Sequence, residues 1–199
     1  MGTFTARVYC RHEDSMPAAA RTTRENWIDA GLRALAANGP NGVRVEVLAE
    51  ELGVTKGGFY GQFTDRRAFL EELLDAWEHR SIDDVLAQVE AGPDDAPARI
   101  RRAGALTFRD DLLAIDLAIR FWARSDRAVA RRLRRVDNRR LNYLREQFST
   151  YVTDPDEVEA RATLAFGFAI GQHFMAADHK PRTRREAVSL ASSLLVDRR

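Results

Sequence analysis

The stretch from Val43 to Phe63 constrains the fold of this chain more than any other part of the sequence. It begins with four apolar residues at helical spacing, which predict a short helix. These residues are Val45, Leu48, Ala49 and Leu52. Gly53 can adopt a left-handed backbone conformation and thus end this helix abruptly. The Thr55 hydroxyl can then cap a second helix, which has an apolar edge formed by Phe59 and Phe63.

Two helices joined by a tight turn can approach closely where the residue at their crossing is small, as Ala49 is. A helix, a turn containing glycine and a second helix with small and polar outer residues form the helix-turn-helix pattern. In that pattern the second helix lies in the major groove of DNA. The same spacing also fits an ordinary pair of antiparallel helices that contacts no nucleic acid. Spacing alone leaves both interpretations open.

The residues TKGGFYGQF, followed by TDRRAFLEELL, closely resemble the TetR family of bacterial one-component transcriptional regulators. The recognition helix of that family reads similarly to Thr-Lys-Gly-x-x-Tyr-x-His-Phe and is followed by a capped helix. The resemblance covers residues 21–81 well and the remainder only as a general helical pattern. It implies an all-α fold, with an N-terminal three-helix DNA-binding domain and a C-terminal helical bundle for regulation and dimerisation.

The resemblance implies contacts to the DNA backbone at individual positions. The Thr55 main chain and the Lys56 side chain would lie near phosphate at the start of the recognition helix. Gly57 would allow close approach to the duplex. Tyr60 and Arg66 would each reach a phosphate oxygen.

Arg44, Lys56 and Gln62 are the best candidates for reading bases, with guanine the favoured target of Arg and Lys and adenine that of Gln. Gln62 stands where the family usually has His, which keeps hydrogen bonding but removes titration. Arg44 stands where many members have a Ser or Thr helix cap, and a cation there is unfavourable by roughly a few tenths of a kcal/mol. We hypothesise that Arg44 contacts a phosphate or a base edge. The alternative is that Glu46 simply neutralises it.

Three glycines weaken the second helix by about 1 kcal/mol each relative to alanine. They are Gly57, Gly58 and Gly61. Packing of Phe59 and Phe63 must therefore hold this helix in place. The complete predicted DNA-binding surface consists of Arg44, Thr55, Lys56, Gly57, Gly58, Tyr60, Gln62 and Arg66.

The balance of 31 basic and 30 acidic side chains gives a net charge of +1, so DNA-binding potential has to be judged locally. Residues 55–67 carry three basic side chains against one acidic, which makes the proposed DNA face basic. Arg21 and Arg24 form either a basic arm that touches DNA or a solvated terminus. The arginines of residues 131–140 form either a second basic patch or a solvated or paired helix face.

The sequence contains no motif for catalysis or for binding a metal or cofactor. HExxH, GxSxG and Walker-type loops are all missing. The single cysteine, Cys10, excludes an internal disulfide and a zinc-binding cysteine cluster. We therefore expect neither an enzyme nor a metal or cofactor site. Because the chain also lacks a membrane-spanning apolar run and a secretory signal, we expect a cytoplasmic protein without membrane contact.

Helical periodicity continues through the rest of the chain, without strand-like alternation. Thr23 is expected to cap a helix that runs to Asn38 and ends at the turn 39–42. Asp65 is expected to cap a long helix that continues to about Val89. Further helices are expected at about residues 100–108, at 112–124, which is apolar on most sides and central, at 127–152, from Asp154-Pro155 onward, and at 184–196.

These elements divide the chain into three parts. Residues 1–20 are expected to form a mobile tail, in which Met16 is an alternative start. Residues 21–81 are expected to form the DNA-binding domain, with the helix-turn-helix at about 43–63. Residues 82–199 are expected to form the ligand-binding and dimerisation domain.

The helix after Pro155 has a small and apolar interior that suits close contact with another helix. In the TetR family the last two long helices pair with their copies in a four-helix dimer interface, and the resemblance implies the same here. The alternative is that they complete the core of the monomer. The candidate interface residues are Ala162, Phe166, Gly167, Ile170, Gly171, Leu190 and Leu194.

The resemblance also implies a small ligand within the C-terminal bundle, which would favour a spacing of the two DNA-binding heads that no longer matches DNA. Aromatic and apolar residues there suggest a mainly hydrophobic effector. Packing in the core is the alternative role for most of them. The candidate pocket residues are Phe108, Phe121, Trp122, Tyr143, Phe168, His173 and Phe174.

The predicted function is that of a sequence-specific transcriptional regulator, a repressor, which binds a palindromic double-stranded operator as a homodimer and is released by a small molecule. One alternative is a helical ligand-binding protein or enzyme without specific DNA binding. Another is an architectural DNA-binding protein that responds to no effector. DNA binding measured against salt distinguishes these classes.

Overall fold

The computed structural model describes residues 22–92 and 95–197, and within these ranges the chain is all-α, as predicted. The predictions for the N-terminal tail, Met16, Cys10 and Arg21 concern residues outside these ranges. None of the described helices combines the length and the apolar character needed to cross a membrane. The helices are α1 Arg24–Gly42, α2 Val45–Glu51, α3 Lys56–Tyr60, α4 Arg66–Glu90, α5 Ala96–Thr107, α6 Asp110–Ala123, α7 Arg127–Ser149, α8 Pro155–Gly171 and α9 Arg184–Val196, with a 3-10 turn at Gln172–Phe174 after α8.

The first helix begins at the predicted cap. The Thr23 hydroxyl accepts a hydrogen bond from the main-chain N–H of Asn26, and the Asn26 side chain accepts one from the Thr23 N–H at 2.9 Å. Gly39 has φ 65° and ψ −169°, a conformation essentially restricted to glycine. It interrupts α1 at the predicted turn, so that residues 40–42 form a separate last turn of this helix. The chain thus changes direction ahead of α2.

The next two helices form the predicted bent pair. Gly53 lies between them with φ 66°, and the following N–H, that of Val54, donates to the Ala49 carbonyl at 2.9 Å. Thr55 occupies the N-cap position of α3, but its side chain makes no capping hydrogen bond. The prediction that its hydroxyl caps the helix is therefore wrong. Because α3 starts at an exposed surface, water can satisfy its first N–H groups.

The longest helix, α4, connects the two halves of the chain. The Asp65 carboxylate caps it, as predicted, by accepting a hydrogen bond from the Ala68 N–H at 2.8 Å. At about 1.5 Å per residue, the helix is roughly 37 Å long. Its buried residues extend from Phe69, beside the helix-turn-helix, to Val89, in the C-terminal half.

The core of the helix-turn-helix continues into the C-terminal half. Trp27 and Phe59 are fully buried and belong to the same apolar cluster as Ile119 of α6 and Val129 and Val136 of α7. Helix α1 packs directly against α6. A continuous core therefore crosses the predicted domain boundary at residue 81.

Helix α6 is less buried than its predicted central position implies. One face, which includes Ile119, is buried, but the Phe121 side chain lies on the other side and is 59% exposed. The buried face also contains a charged residue, Asp116, because Arg120 Nε and Arg140 Nη1 donate to its carboxylate at 2.7 and 2.9 Å. Such pairing allows a carboxylate to be buried.

The arginines of α7 pair with carboxylates of α4. Arg132 contacts three of them, those of Glu71, Asp75 and Glu78. The outward face of residues 131–140 is thus neutralised in part within the chain. This supports the interpretation as a paired helix face rather than as a second nucleic-acid site.

Candidate DNA-binding surface and ligand cavity

Aromatic packing holds α3 in place. The Phe59 ring is fully buried, and its centroid lies 5.4 Å from that of Trp27, 5.1 Å from that of Phe63 and 5.2 Å from that of Phe69. Helix α3 has only 5 residues, far fewer than the roughly 12–15 that an isolated helix needs. The packing that the spacing of Phe59 and Phe63 predicts is therefore what positions this helix.

The opposite side of α3 is open to solvent. A Cβ atom added at Gly57 would meet only Thr55 Oγ1, at 3.5 Å, and one at Gly58 would meet nothing closer than 3.9 Å. Packing inside the protein therefore does not require glycine at either position. The exposed residues on this side are Thr55, Lys56, Gly57, Gly58, Tyr60 and Gln62.

Lys56 is held by a glutamate of α2. Its Nζ lies 2.8 Å from Glu46 Oε1, and this hydrogen bond is the main cause that lowers the pKa of Glu46. Arg44 precedes α2 with an extended backbone, and no ion-pair partner contacts it among the described residues. Glu46 is therefore paired with Lys56 rather than with Arg44, which keeps the Arg44 side chain available to a ligand outside the chain.

Two further arginines near the helix-turn-helix make contacts within the protein. Arg66 donates from Nε to the Val43 carbonyl at 2.7 Å and from Nη2 to the Pro40 carbonyl, which leaves Nη1 for the predicted phosphate contact. Arg24 belongs to α1 rather than to a preceding arm. It pairs with Glu72, and its guanidinium lies 4.5 Å from the centroid of the Phe63 ring.

The C-terminal half contains a cavity of about 390 Å³ between α4, α5, α7, α8 and α9. This volume lies within the usual range for small-molecule sites, about 300–1,000 Å³. Most of the lining is apolar. No carboxylate of the described residues lines the cavity, and the charged side chains that do so are those of Arg101, Arg139, Arg140 and Arg185.

Polar groups in the cavity wall lack hydrogen-bond partners within the described protein. They are Ser81 Oγ, Arg140 Nε and Nη2, the Tyr143 hydroxyl and His173 Nε2, all of them buried atoms. Burial raises the pKa of Tyr143 and lowers that of His173, where the charge of Arg184 acts in the same direction. At neutral pH the His173 ring is therefore uncharged and the Tyr143 hydroxyl protonated.

Residues 28–73 match the sequence model of the bacterial regulatory proteins of the tetR family. Over these residues, the chain is similar to the TetR family.

Several solved structures share the fold of this chain. FadR from Bacillus subtilis, in complex with stearoyl-CoA, is 19% identical with a TM-score of 0.63, over 87% of this chain and 98% of that one. A transcriptional regulator from Rhodococcus sp. Rha1 is 20% identical with a TM-score of 0.66, over 87% and 96%. AibR, in complex with isovaleryl coenzyme A and operator DNA, is 14% identical with a TM-score of 0.63, over 86% and 97%. Among curated proteins no match was found.

The predicted pocket residues separate into two groups. Phe121 and Phe174 are 59% and 57% exposed, and Trp122 packs against the core shared with α1, so these three do not line the cavity. Four do line it, namely Phe108, Tyr143, Phe168 and His173.

Among the polar residues of the cavity that sequence reasoning missed are Ser81 and Arg140, whose buried side-chain atoms lack partners among the described residues. Ser81 falls four residues after Trp77 and four before Val85, so it interrupts an apolar stripe of α4, and this interruption is a signal that could have revealed it. Arg140 is hidden in a run of arginines. Nothing in its local sequence separates a buried arginine from its exposed neighbours.

The last two helices, α8 and α9, are poorly covered by the rest of the chain. Helix α8 buries a single residue, Ala162, which packs inside the chain and so lies away from the free surface. Leu190 and Leu194 of α9 are 51% and 70% exposed. Gly167 and Gly171 are also exposed, whereas Phe166 and Ile170 are half-buried.

Proposed function

We propose that the chain represses transcription as a homodimer on an approximately palindromic operator and that a small molecule in the C-terminal cavity releases it. The observation that carries the proposal is the exposed outer side of α3, where the protein leaves room for side chains at Gly57 and Gly58. Such a surface can approach a duplex closely. Lys56 and Tyr60 beside it offer groups that bind phosphate.

The exposed apolar residues of α8 and α9 support a homodimer. Leu164, Leu190 and Leu194 are all more than half exposed, which is unfavourable for a free surface in water. Two copies joined by a twofold axis would cover them on both sides. Their recognition helices would then have to lie about 34–36 Å apart to enter successive major grooves.

Helix α4 supports coupling between the cavity and DNA binding. It is capped by Asp65, next to the recognition helix, and its residues Ser81, Ile82, Val85 and Leu86 line the cavity. A ligand that prefers one position of α4 would shift the spacing of the recognition helices. The shift is limited by the difference in the affinity of the ligand for the two states. FadR and AibR, which share the fold, are seen with acyl-CoA ligands.

DNA binding is tested with a labelled duplex from the region that flanks the gene itself, and with a scrambled duplex, over a range of salt concentrations. We expect tight binding to the first duplex only. Lys56→Ala should make the negative slope of log K against log salt less steep, by about 0.9 for each phosphate that is no longer neutralised and hence by about 1.8 for a dimer. Lys180→Ala, which removes the same charge from an exposed position between α8 and α9, should leave the slope unchanged.

A second variant separates DNA binding from folding. Gly57→Ala should leave the fold intact, because a Cβ atom there meets only ordinary contacts, but it should weaken operator binding. Equal binding to both duplexes would instead indicate an architectural protein, and no binding at low salt would indicate a ligand-binding protein or enzyme.

The oligomeric state is tested by sedimentation of the wild type and of Leu194→Glu. We expect a dimer for the wild type and a monomer for the variant, because a charge would be buried in the proposed interface. Asp178→Asn, a change at an exposed position before α9, serves as the control and should remain dimeric. A monomeric wild type that still binds its operator would contradict the proposed dimer.

A further inference from the structure

The chemistry of the cavity limits what its ligand can be. Every charged side chain in the described lining is an arginine, so the wall favours a negatively charged group. Buried polar atoms in proteins are almost always hydrogen-bonded. Here five buried polar atoms from α4, α7 and the turn after α8 have no partner among the described residues, and all five belong to residues that line this one cavity. The clustering indicates that a ligand supplies their partners.

Arg140 is the most informative of these residues. Its side chain is 7% exposed, and Nη1 is anchored to Asp116 Oδ1 at 2.9 Å. Asp116 also accepts from Arg120 Nε at 2.7 Å, and both Arg120 terminal nitrogens donate to Asp137. The guanidinium is therefore fixed on one side while its other edge, formed by Nε and Nη2, has no partner among the described residues.

The free edge of Arg140 selects for a particular ligand group. Its two N–H groups point in parallel, which matches the two oxygens of a carboxylate. A primary amide presents one acceptor and one donor, and a thioester presents a single carbonyl oxygen, so neither matches both N–H groups. The Ser81 hydroxyl, which is 2% exposed, can donate a third hydrogen bond to the same group.

The remaining wall accommodates an apolar tail. Apolar side chains line it from two helices, namely Ile82, Val85 and Leu86 of α4 and Phe166 and Phe168 of α8. The centroid of the Phe108 ring lies 5.8 Å from Arg140 Cζ and 5.6 Å from the centroid of the His173 ring. Phe108 and His173 therefore form an aromatic part of the wall next to the Arg140 guanidinium. A hydrocarbon chain buried there gains about 0.8 kcal/mol per CH₂.

We propose that the effector is a free carboxylic acid with a hydrocarbon tail. Its carboxylate binds the Nε–Nη2 edge of Arg140 and the Ser81 hydroxyl, and its tail lies against α4, α5, α8 and α9. This inference rests on the proposed role of the cavity as the effector site. It differs from the acyl-CoA ligands of FadR and AibR in the group that is recognised.

The test measures binding to the full-length protein by titration calorimetry. The probes are straight-chain carboxylates from hexanoate to dodecanoate, with the primary amide, the alcohol and the coenzyme A thioester of the same lengths. We expect at least one carboxylate to bind about tenfold or more tightly than its amide and alcohol, which corresponds to one charge-assisted contact. Equal binding of the amide or alcohol, binding of the thioester alone, or no binding of any carboxylate would overturn the inference.

Variants locate the carboxylate. Arg140→Lys keeps a cation for Asp116 but removes the paired N–H edge, and it should weaken carboxylate binding about tenfold or more. Ser81→Ala removes no hydrogen bond within the described protein and should weaken binding several-fold. Arg135→Lys, an arginine of the same helix that pairs with Glu78 and does not line the cavity, is the control and should bind as the wild type does. If Arg140→Lys fails to fold, Ser81→Ala and the ligand series on the wild type still decide the question. Unchanged carboxylate binding in Ser81→Ala and in a folded Arg140→Lys would overturn it.

Operator release is measured separately with the carboxylate that binds best. Carboxylate binding without operator release would contradict the effector role while leaving the ligand class intact. Operator binding that is reversed by the thioester but not by the acid would uphold a ligand-responsive regulator and overturn the carboxylate.

Discussion

The backbone at Gly53 provides a test of the bent helix pair that is separate from side-chain packing. A Cβ atom placed on this residue would meet nothing within 4 Å, so the cost of Gly53→Ala comes from the positive φ of 66° alone. A left-handed conformation costs about 1–2 kcal/mol for a residue with a Cβ atom. The stiffer unfolded chain offsets about 0.4–1 kcal/mol of this. We therefore expect a net loss of stability of about 1 kcal/mol.

Thermal and urea unfolding measure this loss. For a chain of this length the melting temperature should fall by about 2–4 °C. The melting temperature of Gly53→Asn should fall less, because asparagine tolerates the left-handed region. Gly104→Ala is the matched control, since Gly104 lies inside α5 with no atom within 4 Å of its added Cβ, and it should raise the stability by about 0.5–1 kcal/mol. If both alanine variants were stabilising, the left-handed turn between α2 and α3 would be refuted.

Three further perturbations have expected outcomes. Glu46→Gln should release Lys56 and so strengthen operator binding, and the fluorescence anisotropy of a labelled operator duplex should show a steeper salt dependence. Unchanged affinity would show that the pairing of Glu46 with Lys56 does not compete with DNA binding. Asp116→Ala should lower the free energy of unfolding by about 3–5 kcal/mol, because it leaves buried guanidinium groups without their partner. Asp111→Ala removes the exposed partner of Arg109 and should lower it by less than about 1 kcal/mol. Similar losses for the two variants in urea unfolding would contradict the buried pairing. His173 should titrate in NMR measurements below its ordinary pKa of about 6.5. Because the unfolded chain then takes up the proton at a higher pH than the folded chain, the stability that His173 contributes should decline as the pH falls below that value. His173→Gln should remove this decline.

The elements that depend on residues close in sequence could be predicted. Thr23 and Asp65 cap their helices through residues three positions later, so each signal lies within one turn. Phe59 and Phe63 share one side of the chain because they are four apart. The exposed residues of the DNA-binding surface follow from the same spacing. The contacts that they make with DNA stay predictions.

The cavity could be predicted only in part, because its polar groups come from distant parts of the chain. Asp116 and Arg140 are 24 positions apart, and neither has a local feature that marks it as buried. Phe108 and Phe121 are both aromatic residues near the ends of neighbouring helices, yet only Phe108 faces the cavity. Which side of α6 packs on α1 decides the difference, and this depends on how the helices assemble.

The shared core has a consequence for engineering. Ile119, Val129 and Val136 belong to the same apolar cluster as Trp27 and Phe59, so the proposed DNA-binding part is not a detachable module. A fragment cut at residue 81 would present to water the flank of α1 that rests on α6, and we expect it to aggregate rather than to fold. A chimera that joins the proposed DNA-binding part to a sensor domain from another protein would also have to include the surface of α6 on which α1 packs.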